Sequence, residues 1–476
     1  MATAAVRRAR RLRTGGAVVL AVTAVLAAAS TGDDAPGSRA LAGGSATPAA
    51  NVVVVMTDDQ DLRSLSVMEA VQRQLVARGT TFDRFFATYP LCCPSRATFL
   101  TGRYAHNHGV LSNEPPTGGY HGFTDAETAL PVALEAEGYR TGLIGKYLNG
   151  YRAHHPVPPG WDVWRAALSG GSAAYGYELR RGDEVVRYGR RPGAYRTKVY
   201  GDLAVRYIEY SHELGDPFFL TLAPSIPHVE QAGVPPTPAP EYDGRFDAEP
   251  LPQPESFDED DVSDKPTGVE AMPRLSEEEI VELTELYRAR LGSFLAVDTL
   301  VRRVMEALRA TGELGDTYVI FTSDNGYLLG EHRLTRKTVL YEESVRVPMV
   351  IRGPGVPAGE ARDELTANVD LAPTVLDAAG AAPLQEPDGT SLLPLAANPA
   401  TEWRKDLLLE NNRAAALRTS RHVYTEHASG ETELYDLRND PFQLESLHAG
   451  KDQAARIKTL SARLNEVRGC AGNDCP

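Results

Sequence analysis

The side chains able to do chemistry fall in a few short stretches of this 476-residue chain. "VVVVMTDDQ" ends in Asp58 and Asp59, "TYVIFTSDNG" carries Asp324 and Asn325, and "APSIPHV" carries His228. Each polar group follows a run rich in β-branched or aromatic residues, so each stands where a strand ends. Two adjacent aspartates and an Asp-Asn pair offer several oxygen ligands and require no soft donor. That set favours a hard divalent cation, calcium or magnesium, over zinc. Taken singly, "TDDQ" also fits a helix N-cap and "SDNG" a turn. A further stretch, "LCCPSRATFLTGRYAHNHG", sets Cys92 beside Cys93. Adjacent cysteines bridge each other poorly, and their spacing fits neither a zinc site nor a redox pair. Cys93 reads as a buried thiol, while Cys92 has no structural task.

Positioning these groups requires a sheet. Continuous apolar runs such as "NVVVVMT" indicate strands buried on both faces, and similar runs recur in "GYRTGLIGKY", "PFFLTLAPSIPH", "TYVIFTSDNG" and "VPMVIRGPGV". Helix-like stretches at 66–78, 95–100, 129–137 and 200–214 alternate with them, which predicts an α/β fold with a mostly parallel central sheet. Ligands gather at the carboxyl ends of such strands. Ser276 with Glu279 forms a capping-box pattern, and Ile280, Leu283, Tyr287, Leu291, Phe294 and Leu295 continue at helical spacing toward Leu308. The acidic, proline-rich segment 241–266 has no period and reads as a long surface excursion that need not carry chemistry. Beyond about residue 390, short alternating segments predict a small antiparallel sheet closed by a helix near 453–467.

The N-terminus has an arginine-rich head, an apolar run at 17–29 and then small residues, the pattern of a secretory signal. The run is too short to span a bilayer comfortably, so no stable membrane insertion is expected after its removal. Three parts follow: signal peptide and linker at 1–45, a catalytic domain at 46–389 and a C-terminal subdomain at 390–476. In an exported protein, Cys470 and Cys475 of "CAGNDCP" suit a small terminal disulfide loop. The formal charge of −15 argues against a general nucleic-acid binder, which gains affinity from basic surface, though it leaves room for a local basic pocket.

"CCPSRATFLTGR" resembles the signature of the formylglycine-dependent (type I) sulfatases, Cys-x-Pro-Ser-Arg followed by Thr-Gly-Arg, and the likeness extends from Asn51 to "ELYDLRNDPFQLESL". The resemblance implies an alkaline-phosphatase-like sandwich and an exported sulfuric ester hydrolase. It makes Cys92 the residue oxidised to formylglycine by a formylglycine-generating enzyme. A hydrated aldehyde carries two hydroxyls on one carbon: one attacks sulfur and expels the alcohol, and loss of the other's proton re-forms the carbonyl and ejects sulfate. A bound cation would polarise the sulfate and favour the ionised diol. By the same resemblance Asp58, Asp59, Asp324, Asn325 and the converted Cys92 ligate calcium, which the family implies ahead of magnesium. Arg96 steadies the diol, Lys146 and Lys337 hold the sulfate, and His228 serves the departing oxygen.

The chain departs from the family after Lys146, where Tyr147 and Leu148 replace the usual Trp-His. The histidine assigned to aldehyde regeneration is therefore missing, and His106 and His108 become its candidates. "GRYAHNHGV" and "GKYLNGY" resemble the subgroup of N-acetylglucosamine-6-sulfatases and heparan endosulfatases, in which Asn107 and His108 would belong to the substrate rim. The acidic charge suits a small or terminal sulfated sugar better than a long polyanion. A phosphomonoester or phosphonate monoester hydrolase of the same superfamily is the rival enzyme, and an inactive carbohydrate-binding relic the rival without catalysis.

Overall fold

The computed structural model describes residues 50–168, 172–230 and 233–476, so the signal peptide and linker read at 1–45 lie outside the described residues. A ten-stranded sheet runs in the order Glu360–Arg362, Thr80–Phe82, Met349–Arg352, Thr317–Ser323, Asn51–Thr57, Phe218–Ala223, Arg140–Gly145, Val163–Ala167, Glu178–Arg181 and Glu184–Arg187. The five strands from Thr317–Ser323 to Val163–Ala167 are mutually parallel, and antiparallel neighbours flank them on both sides. Their parallel pairing explains the unbroken apolar runs, because both faces of each strand must be covered.

The central strand shows how this works. All seven residues of Asn51–Thr57 are buried, with Val52, Val54 and Met56 facing one core and Val53 and Val55 the other. The first core is closed by Phe99 and Leu100 of helix Cys92–Thr101, by helix Leu130–Ala136 and by helix Leu371–Ala379. The second is closed by helix Arg196–Leu214 and by the long helix Glu277–Ala310. That long helix begins at the Ser276–Glu279 capping box, and Leu283, Tyr287, Leu291 and Phe294 are buried along it.

The C-terminal segment forms the small antiparallel sheet expected, with strands Asp406–Glu410, Ala414–Thr419, His422–His427 and Thr432–Asp436, followed by helix Ala454–Val467. Cys470 and Cys475 are bridged, with their Cα atoms 5.0 Å apart. The excursion at 241–266 departs from its sequence reading. Ser256, Asp258, Glu259, Val262 and Lys265 within it are buried, because Glu259 is paired with Lys265 at 3.0 Å and with His332 at 2.6 Å. Charged groups paired in this way can enter an interior that would exclude them singly. Among the described residues, no helix is long and apolar enough to cross a membrane.

Candidate active site

Four neighbouring parallel strands deliver their next residues to one place. Asp58 and Asp59 follow Thr57, Asp324 and Asn325 follow Ser323, Lys146 follows Gly145, and the loop leaving Ala223 reaches His228. Consecutive side chains on a strand point to opposite faces. Asp59 breaks that alternation with a left-handed backbone, φ 69°, which lets both aspartates face the centre. The left-handed conformation costs a non-glycine residue about 1–2 kcal/mol, so something must hold it. Arg290, fully buried on the long helix, donates to the Asp59 carbonyl at 2.6 Å and pairs with Asp61 at 3.3 Å. Its guanidinium lies 4.3 Å from the centre of the Tyr327 ring.

Cys92 enters from another element, as the first residue of helix Cys92–Thr101, and has no exposed surface. Its sulfur lies 3.6 Å from Asp58 Oδ1 and 3.0 Å from Lys337 Nζ. The Lys337 ammonium also contacts Asp59 Oδ1 and lies 3.5 Å from Asn325 Oδ1. Lys146 donates to Asp58 Oδ2 at 2.7 Å. Arg96, one turn along the helix from Cys92, pairs with Asp324 at 2.8 Å and donates to the Lys146 carbonyl at 3.2 Å. Asp324 Oδ1 accepts the Asp59 N–H at 3.1 Å, and Asn325 Nδ2 donates to Asp59 Oδ1 at 2.7 Å. His228 places Nε2 3.7 Å from Asp59 Oδ2, while its Nδ1 lies 2.7 Å from the Val229 carbonyl, which fixes the ring through the nitrogen facing away.

Burial opposes ionisation of Asp58, yet Lys146, followed by His228, Arg96 and Lys337, outweighs it and holds the carboxyl far below its usual range. Burial likewise disfavours the charged Lys146 and Lys337, and their carboxylate partners overcome it and keep both ammonium groups protonated. The Cys92 thiol behaves oppositely. Burial pushes its pKa up despite the two lysines, so the unmodified sulfur is a protonated and poor nucleophile. Cys93 is the inert thiol expected, accepting the Asn149 N–H at 3.1 Å and pushed up to about 12 by burial.

The donor set could hold a metal ion. Ligand atoms of Asp58, Asp59, Cys92 and His228 lie within 4.8 Å of one another. The Lys337 ammonium already sits among Asp59, Asn325 and Cys92, where positive charge is favoured. The carboxylates of Asp58, Asp59 and Asp324 face the cations of Lys146, Lys337 and Arg96, so a divalent ion and an anionic ester could enter together with little net charge.

The structure thus brings together Asp58, Asp59, Cys92, Arg96, Lys146, His228, Asp324, Asn325 and Lys337. It places the "HNH" segment elsewhere. His106 Nδ1 lies 3.0 Å from Glu410 and its Nε2 2.9 Å from the Cys470 carbonyl. Asn107 donates through Nδ2 to Asp388 and to the same carbonyl, both at 2.8 Å. His108 is buried, with Nε2 3.0 Å from Thr98 Oγ1 and Nδ1 accepting the Val110 N–H at 3.1 Å. Burial first, and then Arg103 and His106, push its pKa down to about 3. Neither imidazole keeps a free ring nitrogen: His106 and Asn107 reach the Cys470 carbonyl of the C-terminal loop, while His108 bonds Thr98 and Val110.

Two contributors escaped the sequence reading. Arg290 interrupts the apolar stripe Tyr287, Leu291, Phe294, and a charge within a buried stripe was the available signal. The loop carrying Lys337 is the other. His332, Arg333, Arg336 and Thr338 all have left-handed backbones, and the loop is tied down by Arg333, which donates to the carbonyls of Glu259, Asp260 and Met272 at 2.8–2.9 Å. A cavity of about 640 Å³ borders the site, lined by Leu91 and Thr338, the chain neighbours of Cys92 and Lys337, and by Asn411, Asn412 and Arg413 from the C-terminal sheet.

Comparison with known proteins agrees with this geometry. Residues 50–381 match the family model described as Sulfatase, and residues 330–469 match that of N-sulphoglucosamine sulphohydrolase, C-terminal. The chain is 31% identical to the human N-acetylglucosamine-6-sulfatase, over 89% of this chain and 85% of that protein. It is 33% identical to an extracellular sulfatase Sulf-1 homolog of Caenorhabditis elegans, over 79% of this chain, and the match spans 54% of that protein's length. In fold it resembles a protein solved in complex with its substrate D-glucosamine-2-N,6-O-disulfate, with a TM-score of 0.75, 24% identity, and coverage of 88% of this chain and 97% of that one.

Proposed function

Because the chain belongs to the sulfatase family and is a sulfuric ester hydrolase, we propose that it works through a formylglycine made from Cys92 beside a bound calcium ion, on a sulfated amino sugar. One observation carries this reading: the first cysteine of the two-cysteine run, fully buried, lies at a helix start, against Asp58 and Lys337, with its thiol held protonated. Such a thiol is ill suited to attack, whereas the hydrate of an aldehyde formed on the Cβ of the same residue has one hydroxyl to attack sulfur and a second whose deprotonation releases sulfate. Having no exposed surface, Cys92 must meet a formylglycine-generating enzyme before the fold closes over it.

Asp58, Asp59, Asp324, Asn325 and the converted Cys92 would hold the calcium, which when bound polarises the ester and favours the ionised diol. The remaining work falls to the chain's own side chains. Lys337 and Lys146, both kept charged by aspartates, draw the sulfate to position 92 and offset the negative charge that shifts during transfer. Arg96 fixes Asp324 and the Lys146 backbone, and so aligns the helix with the strand ends. His228, oriented by Val229, presents Nε2 to the departing oxygen. The 640 Å³ cavity has room for a sugar, which suits the N-acetylglucosamine 6-sulfate chemistry named for the relatives. Export follows from the signal pattern at 1–45 and agrees with the extracellular naming of relatives.

Turnover of an aryl sulfate against the matching aryl phosphate tests the reading. Faster sulfate cleavage, abolished by chelation and restored by calcium, is expected. Faster phosphate cleavage would transfer the assignment to the phosphomonoester or phosphonate monoester hydrolases, and no cleavage of any ester by converted protein would leave a binding relic.

A further inference from the structure

A separate cavity of about 340 Å³ lies between helix Arg196–Leu214 and the strands Arg140–Gly145, Val163–Ala167, Glu178–Arg181 and Glu184–Arg187. Arg140, Arg165, Arg181 and Arg206 line it, and no carboxylate does. Nearby arginines are neutralised, Arg187 by Glu178 and Arg303 by Asp202, whereas among the described residues none of the four lining arginines belongs to an ion pair. Arg140 Nε is buried without a hydrogen-bond partner, and its guanidinium lies 4.8 Å from the centre of the Tyr210 ring. Arg165 donates to the Trp164 carbonyl at 2.9 Å, and burial first, with Arg181 adding to it, pushes its pKa down.

Four unpaired guanidinium groups around one cavity are unusual in a chain whose 64 acidic residues outnumber its 49 basic ones. Their mutual repulsion is offset by an oxyanion, which guanidinium forks bind in pairs of parallel hydrogen bonds. Tyr188, Leu203 and Val186 add an apolar wall, so the space suits an anion attached to an organic body better than a bare ion. The cavity is distinct from the candidate active site. Arg140 begins the strand whose other end leads to Lys146, and six extended residues span roughly 20 Å.

We propose that this cavity binds a sulfate group of a sulfated saccharide, as an anchoring site apart from the centre that cleaves the ester. It goes beyond the catalytic reading and rests on that reading only in the choice of sulfate over phosphate. The local arginine cluster gives an acidic protein a hold on an anionic glycan that its net charge would otherwise repel.

The test is calorimetric titration of the full chain carrying Cys92→Ala with a sulfated hexasaccharide, its desulfated counterpart, and inorganic sulfate and phosphate. Arg181 and Arg206 are exposed, so Arg181→Ala with Arg206→Ala should fold, and Arg165→Gln supplies a second variant if it does not. Binding of the sulfated hexasaccharide should weaken about tenfold or more in either variant and depend less on salt. With Cys92 intact, turnover of a small aryl sulfate should stay within about twofold of the parent. Unchanged hexasaccharide affinity, equal binding of the desulfated form, or binding of inorganic anions alone would overturn the proposal. If the parent protein cleaves no sulfate ester, the catalytic reading fails while the binding comparison still decides this one.

Discussion

Lys337 Nζ lies 3.0 Å from the Cys92 sulfur and also contacts Asp59, so one ammonium joins the proposed nucleophile position to the carboxylate set. A charge placed there is spent on the group being transferred and little on the rest of the substrate. Lys337→Ala should therefore lower kcat about 10²- to 10³-fold, as loss of a preorganised charge stabiliser does elsewhere, with a smaller change in KM. Steady-state kinetics on an aryl sulfate read this directly, and a rise in KM at unchanged kcat would assign Lys337 to ground-state binding alone.

Conversion of Cys92 is checked by mass. The peptide spanning Leu91–Arg96 should be lighter by about 18 Da than the encoded sequence, since a thiol and a hydrogen are replaced by a carbonyl oxygen. Active protein bearing an unmodified thiol at this position would end the mechanism. Cys92→Ala should abolish turnover while leaving thermal unfolding nearly unchanged, because one small buried side chain replaces another of similar size.

Arg290 tests whether the left-handed turn at Asp59 matters. Besides the Asp59 carbonyl it lies 3.5 Å from the Pro227 carbonyl, so one buried guanidinium braces both the aspartate turn and the loop before His228. Arg290→Met leaves Asp61 without its cation and the Asp59 carbonyl without this donor, at a cost of about 3 kcal/mol to stability. Activity should fall about tenfold or more, and the variant should lose activity at lower chelator concentration than the parent. Equal chelator sensitivity would confine Arg290 to folding.

The aspartates, Asn325 and His228 were legible in the sequence because each follows an apolar run at a strand's carboxyl end, and parallel topology brings those ends together. Lys146, Lys337 and Arg96 needed the family resemblance, since a single lysine or an arginine in a helix has no period of its own. The short flanking strands Thr80–Phe82, Glu184–Arg187 and Glu360–Arg362 went unread, being too brief to establish alternation. His106 and His108 were candidates only because the usual histidine after Lys146 is missing, and Asn107 and His108 came from the subgroup resemblance, neither of which gives a side chain's direction. The Ala105–His108 turn sends their polar atoms to Thr98, Glu410, Asp388 and the carbonyl of Cys470. The bracing of the Lys337 loop by segment 241–266 joins residues more than seventy positions apart, and no local pattern announces it.

That bracing has a pH dependence whose sign can be worked out. His332 is fully buried, with Nδ1 2.6 Å from Glu259 and Nε2 3.7 Å from Glu343, its ring stacked on Tyr341 and Lys265 paired to the far oxygen of Glu259. Burial disfavours the imidazolium, but the two glutamates overcome it and raise the pKa to about 9. A histidine raised in the folded state contributes its full stability below the unfolded value near 6.5, and loses it as pH rises through about 9. The whole effect is on the order of 3 kcal/mol. The melting temperature should thus fall between pH 7 and 9.5, and His332→Gln should flatten that fall while starting from a lower value at pH 7. Because the imidazolium clamps the loop bearing Lys337, kcat on an aryl sulfate should decline over the same interval in the parent. An identical alkaline fall in stability for parent and His332→Gln would place the titrating group elsewhere.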